Sequence, residues 1–145
     1  MINLVINERF STQYPEDFLE LIGENALKCL GEEQSDLTIV VDDDAFIQNL
    51  NRQYRGIDSA TDVLSFEMGY IDPETSRKYL GDIILSAETL AHNAEQTHTA
   101  IGEETRTLIV HGILHLLGYD HSTDQEQKVM WAKQAEVVNF IKQQI

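Results

Sequence analysis

His111-Gly-Ile-Leu-His115-Leu-Leu-Gly118-Tyr-Asp-His121 gathers three of the chain's five histidines into one short run. His111 and His115 stand four residues apart, so on a helix their rings lie one above the other on a single face. Gly118 supplies the stop, because it enters the left-handed conformation that closes a helix without steric cost. Past that stop the chain can turn back and aim His121 at the point the first two rings face. Leu108, Ile109, Val110, Ile113, Leu114, Leu116 and Leu117 surround the pair with apolar surface. They predict a buried central helix over about residues 100–117.

Burying three imidazoles without partners would cost roughly 1–3 kcal/mol for each unsatisfied group. A shared cation removes that cost, and three histidines with an open fourth position is the arrangement of catalytic rather than structural zinc. The spacing His-x3-His-x5-His, with Gly118 between, matches the metzincin zinc proteases. Those enzymes carry a glutamate general base directly after the first histidine, and here that position is Gly112. A glycine inside a helix costs about 1 kcal/mol relative to alanine. Gly112 therefore predicts that a packed element or a substrate comes close to the backbone.

At the N-terminal end, Ile2, Leu4 and Ile6 alternate as a half-buried strand, and Pro15 can open a helix at its first turn. That helix carries Phe18, Leu19, Ile22, Ala26, Cys29 and Leu30 at helical spacing up to Gly31. Leu37–Val41 is a β-branched apolar run and predicts a covered strand. Asp42, Asp43 and Asp44 follow it, and their expected role is to cap a helix N-terminus and complement its dipole. The helix they open places Phe46, Ile47, Leu50 and Tyr54 on one side and ends near Gly56. Val63–Phe66 and Ile83–Leu85 read as further strands, with an exposed hairpin loop from Gly69 to Lys78. A short helix over 87–97 precedes the motif helix. Thr123 and Glu126 resemble a capping box, opening a last helix that turns Met130, Trp131, Val137, Val138 and Ile141 to the core. The expected fold is α+β: one domain over 1–145, a small mixed four-stranded sheet with packed helices, and a zinc-metalloprotease-like central helix.

The chain has 145 residues and ordinary hydrophobic (42%) and charged (24%) fractions, which suits one domain with its own core. Met1–Glu8 lacks the basic region and apolar core of a signal peptide. No apolar run approaches the ~20 residues of a membrane span, so no membrane partner is expected. The lone Cys29 fits a reducing cytosol and a buried packing role. The net charge of −15 argues against a broad electrostatic surface for nucleic acid and favours a basic protein partner.

The histidine run resembles the signature of the YbeY family of bacterial rRNA endoribonucleases. Asn51-Arg-Gln-Tyr-Arg55-Gly-Ile-Asp58 followed by Thr61-Asp-Val-Leu-Ser-Phe66 is similar to a second family block, and Leu80-Gly-Asp-Ile-Ile84 to a third. The resemblance covers nearly the whole chain. It implies a zinc-dependent, single-strand-preferring endoribonuclease of the cytoplasm. Such an enzyme would act in 3′-end maturation of small-subunit rRNA and in ribosome quality control. Its expected partners are rRNA, the small ribosomal subunit and ribosomal or assembly proteins, not DNA. By position His111, His115 and His121 correspond to the family's metal ligands and Arg55 to its functional arginine. One departure stands out: the family usually has proline after Leu-Ser-Phe, and this chain has Glu67. That leaves the path of the third strand open; Glu67 is expected to face solvent, with approach to the site as the alternative.

Zinc on three neutral imidazoles lowers the pKa of its water to about 7, which makes RNA cleavage compatible with the absence of a glutamate base. Arg55 can neutralise charge on the phosphate or instead pair with Asp58 or Asp62. Asp120 can orient an imidazole or simply form a turn. His92, His98 and Asp82 are expected to be ordinary structural or surface residues, and Trp131 a structural one. Two other functions use the same residues: a zinc peptidase, and a non-catalytic ribosome-assembly protein with a structural metal. Imidazole also suits nickel, copper and iron.

Overall fold

A computed structural model describes residues 1–144. The elements run β1 (Ile2–Ile6), α1 (Glu16–Cys29), β2 (Ser35–Asp42), α2 (Asp44–Arg55), β3 (Val63–Ile71), β4 (Lys78–Ser86), α3 (Ala87–Thr97), α4 (Ile101–Leu116) and α5 (Asp124–Gln143). The strands form one four-stranded sheet in the order β1-β2-β4-β3. β1 and β4 flank β2 in parallel, whereas β3 returns antiparallel along β4 and forms an edge. This is the mixed α+β sheet expected. Among the described residues, no helix is long and apolar enough to cross a membrane.

Side chains alternate across a strand, and the two faces are covered differently. Leu37, Ile39 and Val41 of β2 and Ile83 and Leu85 of β4 join the main core with Leu19 and Ile22 of α1, Ile109 and Ile113 of α4 and Val137 of α5. Leu64 and Ile84 turn the other way and meet Ile47 of α2 in a smaller cluster. α4 thus lies across the inner face with one flank along the edge strand, which is where its histidines emerge.

The Asp42–Asp44 triplet caps, as expected, and also ties elements together. Asp43 Oδ1 accepts from Phe46 N at 2.9 Å at the α2 N-terminus. Asp42 accepts from Asn7 Nδ2 at 3.0 Å. Asp44 accepts from the hydroxyls of Ser86 and Thr89 at the start of α3. Gly56 ends α2 with φ +71° and Gly118 follows α4 with φ +97°, both in the region that glycine enters freely. Thr123 Oγ1 accepts from Glu126 N at 3.1 Å to start α5. Cys29 is half-buried rather than fully enclosed.

Three expectations are corrected. The hairpin loop is only 72–77, because β3 and β4 extend through residues that had read as loop. Glu67 pairs with Gly81 and Tyr70 with Tyr79, so Met68 and Gly69 oppose Leu80 alone in a bulge. Stacking of Tyr70 on Tyr79, 5.3 Å between centroids, holds the strands together beyond it. On α2 only Ile47 of the expected apolar side is fully enclosed, while Phe46 and Tyr54 are 40% and 65% exposed. Trp131 is 43% exposed and does not enter the core.

Gly112 is explained by packing. A Cβ there would lie 3.1 Å from two carbons of Ile83, so α4 sits directly on β4. Gly81 is more constrained: its φ is +146°, and a Cβ would come within 2.1 Å of Phe66 O. Gly81→Ala is expected to destabilise the protein by about 3 kcal/mol or more, combining backbone strain with overpacking. A lowered urea midpoint with unchanged slope checks this.

Candidate metal centre

His111 and His115 project from the last two turns of α4, and Gly118 allows the following turn to bring His121 back over them. His111 Nε2 and His115 Nε2 are 3.1 Å apart. One nitrogen from each of the three rings falls within 4.8 Å of the others, a grouping that could hold a metal ion. Four-coordinate zinc with nitrogens at 2.0–2.1 Å requires ligand atoms roughly 3.3 Å apart; the His111–His115 pair already stands near that spacing, and the three-nitrogen set is compatible with such an ion. His111 and His115 are half-buried and His121 is exposed, which leaves the centre open on one side.

The protonation chemistry favours ligand behaviour. Burial lowers the pKa of His111, against a hydrogen bond with Gln134 and the Asp62 charge that raise it. Burial likewise lowers that of His115, helped by the other two rings and opposed by the Tyr119 backbone and Asp120. Both shifts favour the neutral imidazole, the form that binds metals.

α5 backs the centre. Gln134 Oε1 lies 3.0 Å from His111 Nδ1. With the amide oxygen as acceptor, Nδ1 carries the proton and Nε2 presents its lone pair towards His115. Trp131 lies 5.7 Å from both His111 and His121, centroid to centroid. Asp120 instead accepts from His121 N at 2.7 Å and Ser122 Oγ at 2.7 Å, which makes it the turn residue. Neither Gln134 nor the placement of Trp131 was legible in the sequence. The signal was only that both fall within one turn on α5, since what they touch depends on how α5 crosses α4.

A cleft of about 470 Å³ runs along the edge strand and is lined by Val63 to Glu67 of β3, Arg55 of α2, and His111, His115 and Leu116. Arg55 reaches it by donating from Nη2 to Ser65 O at 2.8 Å, with its guanidinium 5.6 Å over the Phe66 ring. The alternative partners are engaged elsewhere: Asp58 accepts from Gln48, and Asp62 from Thr61 and Asn93. Glu67 is exposed, as expected, and also lines this cleft. His92 and His98 are exposed on and just after α3 and do not join the cluster. Asp82 accepts from the Tyr79 hydroxyl. The position of a zinc-peptidase base is occupied by Gly112 packed on Ile83, so no carboxylate stands there.

Fold and site together define an α+β protein with a three-histidine centre at the end of its central helix, open to a cleft beside an edge strand. The chain belongs to the YbeY endoribonuclease family: the family model for Endoribonuclease YbeY matches residues 5–142. An Endoribonuclease YbeY of Treponema denticola is 49% identical over 77% of this chain and 74% of its own length. Another, from Persephonella marina, is 36% identical over 98% of this chain and 92% of its own. The solution structure of a Thermotoga maritima protein superposes with a TM-score of 0.67 at 30% identity, covering 97% of this chain and 89% of that one.

Proposed function

We propose that this protein is a zinc-dependent endoribonuclease, hydrolysing phosphodiester bonds of single-stranded rRNA in the cytoplasm. Its work would be 3′-end maturation of small-subunit rRNA and ribosome quality control. The observation that carries the reading is one cleft shared by the open histidine cluster and Arg55, in a chain of the YbeY family.

In this reading His111, His115 and His121 hold the ion through neutral nitrogens, and Gln134 keeps His111 in the tautomer that can do so. Zinc would supply Lewis-acid polarisation of the phosphoryl group and a water acidified to near neutrality. Arg55 positions the phosphate and offsets charge that develops on it. Its guanidinium has five N–H donors; the one given to Ser65 O anchors it and leaves the others for phosphate.

The net charge of −15 bears on the substrate. Charges beyond ~8 Å are largely screened at physiological salt, whereas opposite unit charges ~4 Å apart attract by about 4 kcal/mol at an effective dielectric near 20. A divalent ion and Arg55 therefore act at the scissile phosphate, while the acidic exterior weakens extended contact. Free RNA should bind poorly, and the small ribosomal subunit or its proteins would present the strand.

The direct test is cleavage of a short single-stranded rRNA fragment by zinc-loaded protein, with loss under chelation. Gln134→Ala is expected to weaken zinc about 10- to 100-fold, as removal of a hydrogen-bond partner behind a ligand does. Competition with a chelating dye measures this independently of activity.

A further inference from the structure

Phe66 walls two cavities at once. On one side is the histidine cleft. On the other is a groove of about 340 Å³ between α2 and the sheet, lined by Phe46, Leu50, Tyr54 and Met68, with Asp82 as its charged member. The rim is open: Tyr54 is 65% exposed, Met68 49% and Phe46 40%. Tyr54 meets Phe66 edge-on with ring centroids 5.6 Å apart, and the Arg55 guanidinium lies over the same Phe66 ring. Consecutive residues of one helical turn thus serve adjoining cavities, Arg55 the cleft and Tyr54 the groove.

We propose that the Tyr54–Phe66 groove is a nucleobase-binding subsite, which stacks one base of a single-stranded RNA whose neighbouring phosphate occupies the histidine cleft. The inference rests on the endoribonuclease reading above and adds where the substrate's base goes. The two cavities differ as the two parts of a nucleotide differ. The cleft offers Arg55 and the imidazoles that would hold a cation, which together suit an anion even with Glu67 in the lining. The groove is mainly apolar and has no basic side chain in its lining, so it suits a neutral ring rather than a phosphate. An unstacked base finds such a platform on exposed aromatic side chains, and every base has a face to offer, so the subsite takes single strands with little sequence preference. One cation fits as well: Arg55, in the last turn of α2, lies over the Phe66 ring that the two cavities share. A protein segment seated on the rim would use the same apolar surface but would gain nothing from its junction with the histidine cleft.

The test is steady-state cleavage of a short single-stranded RNA by zinc-loaded wild type, Tyr54→Ala and Tyr54→Phe. Tyr54 is exposed, and a thermal melt verifies that both variants fold. Tyr54→Ala is expected to raise KM roughly 5- to 150-fold, the range for loss of one stacking contact, with kcat little changed as for loss of uniform binding. Tyr54→Phe, which keeps the ring, should restore KM. An RNA with an abasic ribose beside the cleaved bond should cost wild type the same factor and cost Tyr54→Ala nothing further. If wild type cleaves and Tyr54→Ala shows an unchanged KM, the subsite is overturned and the endoribonuclease reading stands. An unchanged KM combined with weakened binding of a purified ribosomal protein assigns the groove to a protein partner and overturns the subsite equally. If zinc-loaded wild type cleaves no RNA, the endoribonuclease reading fails and the subsite falls with it.

Discussion

Replacing His115 with alanine is expected to abolish stoichiometric zinc binding and to lower RNA cleavage by roughly 10³-fold or more, because Lewis-acid polarisation and the acidified water are lost together. The three rings form a triangle in which His115 is 4.6 Å from His111 and 5.3 Å from His121 by centroid, so its loss leaves a pair 5.9 Å apart. The fold should survive, since His115 is only half-buried while Ile113, Leu114 and Leu116 around it carry the packing. His92→Ala serves as the control, because that ring is exposed and outside the cluster. Zinc content by elemental analysis and cleavage of a labelled single-stranded RNA, measured on one preparation, check the result.

Arg55→Ala is expected to lower kcat/KM about 10²- to 10³-fold, the usual cost of removing a donor aimed at developing charge. Zinc content should not change, because Arg55 lies in the cleft and is not among the clustered nitrogens. Stability should fall by no more than about 2 kcal/mol, the worth of one hydrogen bond and one exposed cation–π contact, since the residue is exposed and its donation to Ser65 O and its place over the Phe66 ring are what is lost. Arg55→Lys keeps the charge without the planar fork and should recover only part of the rate. This separates catalysis from a purely structural metal. In a non-catalytic assembly protein, the alanine variant would bind metal and ribosomal subunits as wild type does, with no cleavage to lose.

Much of the centre could be read in advance because the signals were local. Two histidines one helical turn apart, a glycine able to leave the helix, and a third histidine just beyond it fix a geometry within a few residues. The capping aspartates are local in the same way. What stayed hidden depends on how elements cross. Gln134 and Trp131 reach the histidines only because α5 packs against α4, and nothing in their spacing on α5 distinguishes the flank of a site from the core. Asp120, the acidic residue nearest in sequence to the histidines, bonds within its own turn instead. The long hairpin was missed because Met68 to Ile71 are exposed edge residues joined through a bulge, so their alternation carries no burial signal. Tyr54 and Phe46 follow the apolar side of α2 but outrun the sheet beneath them, which turns an expected core face into an open groove.

One divalent ion on His111, His115 and His121 is expected to be what cleaves RNA. Titration of zinc into chelator-stripped protein, with bound metal and RNA cleavage followed in the same samples, tests this. Cleavage should be absent at the start, rise in proportion to occupancy, and level off at one equivalent. Full cleavage by the stripped protein, or cleavage that does not follow occupancy, would show that the ion is not what cuts RNA.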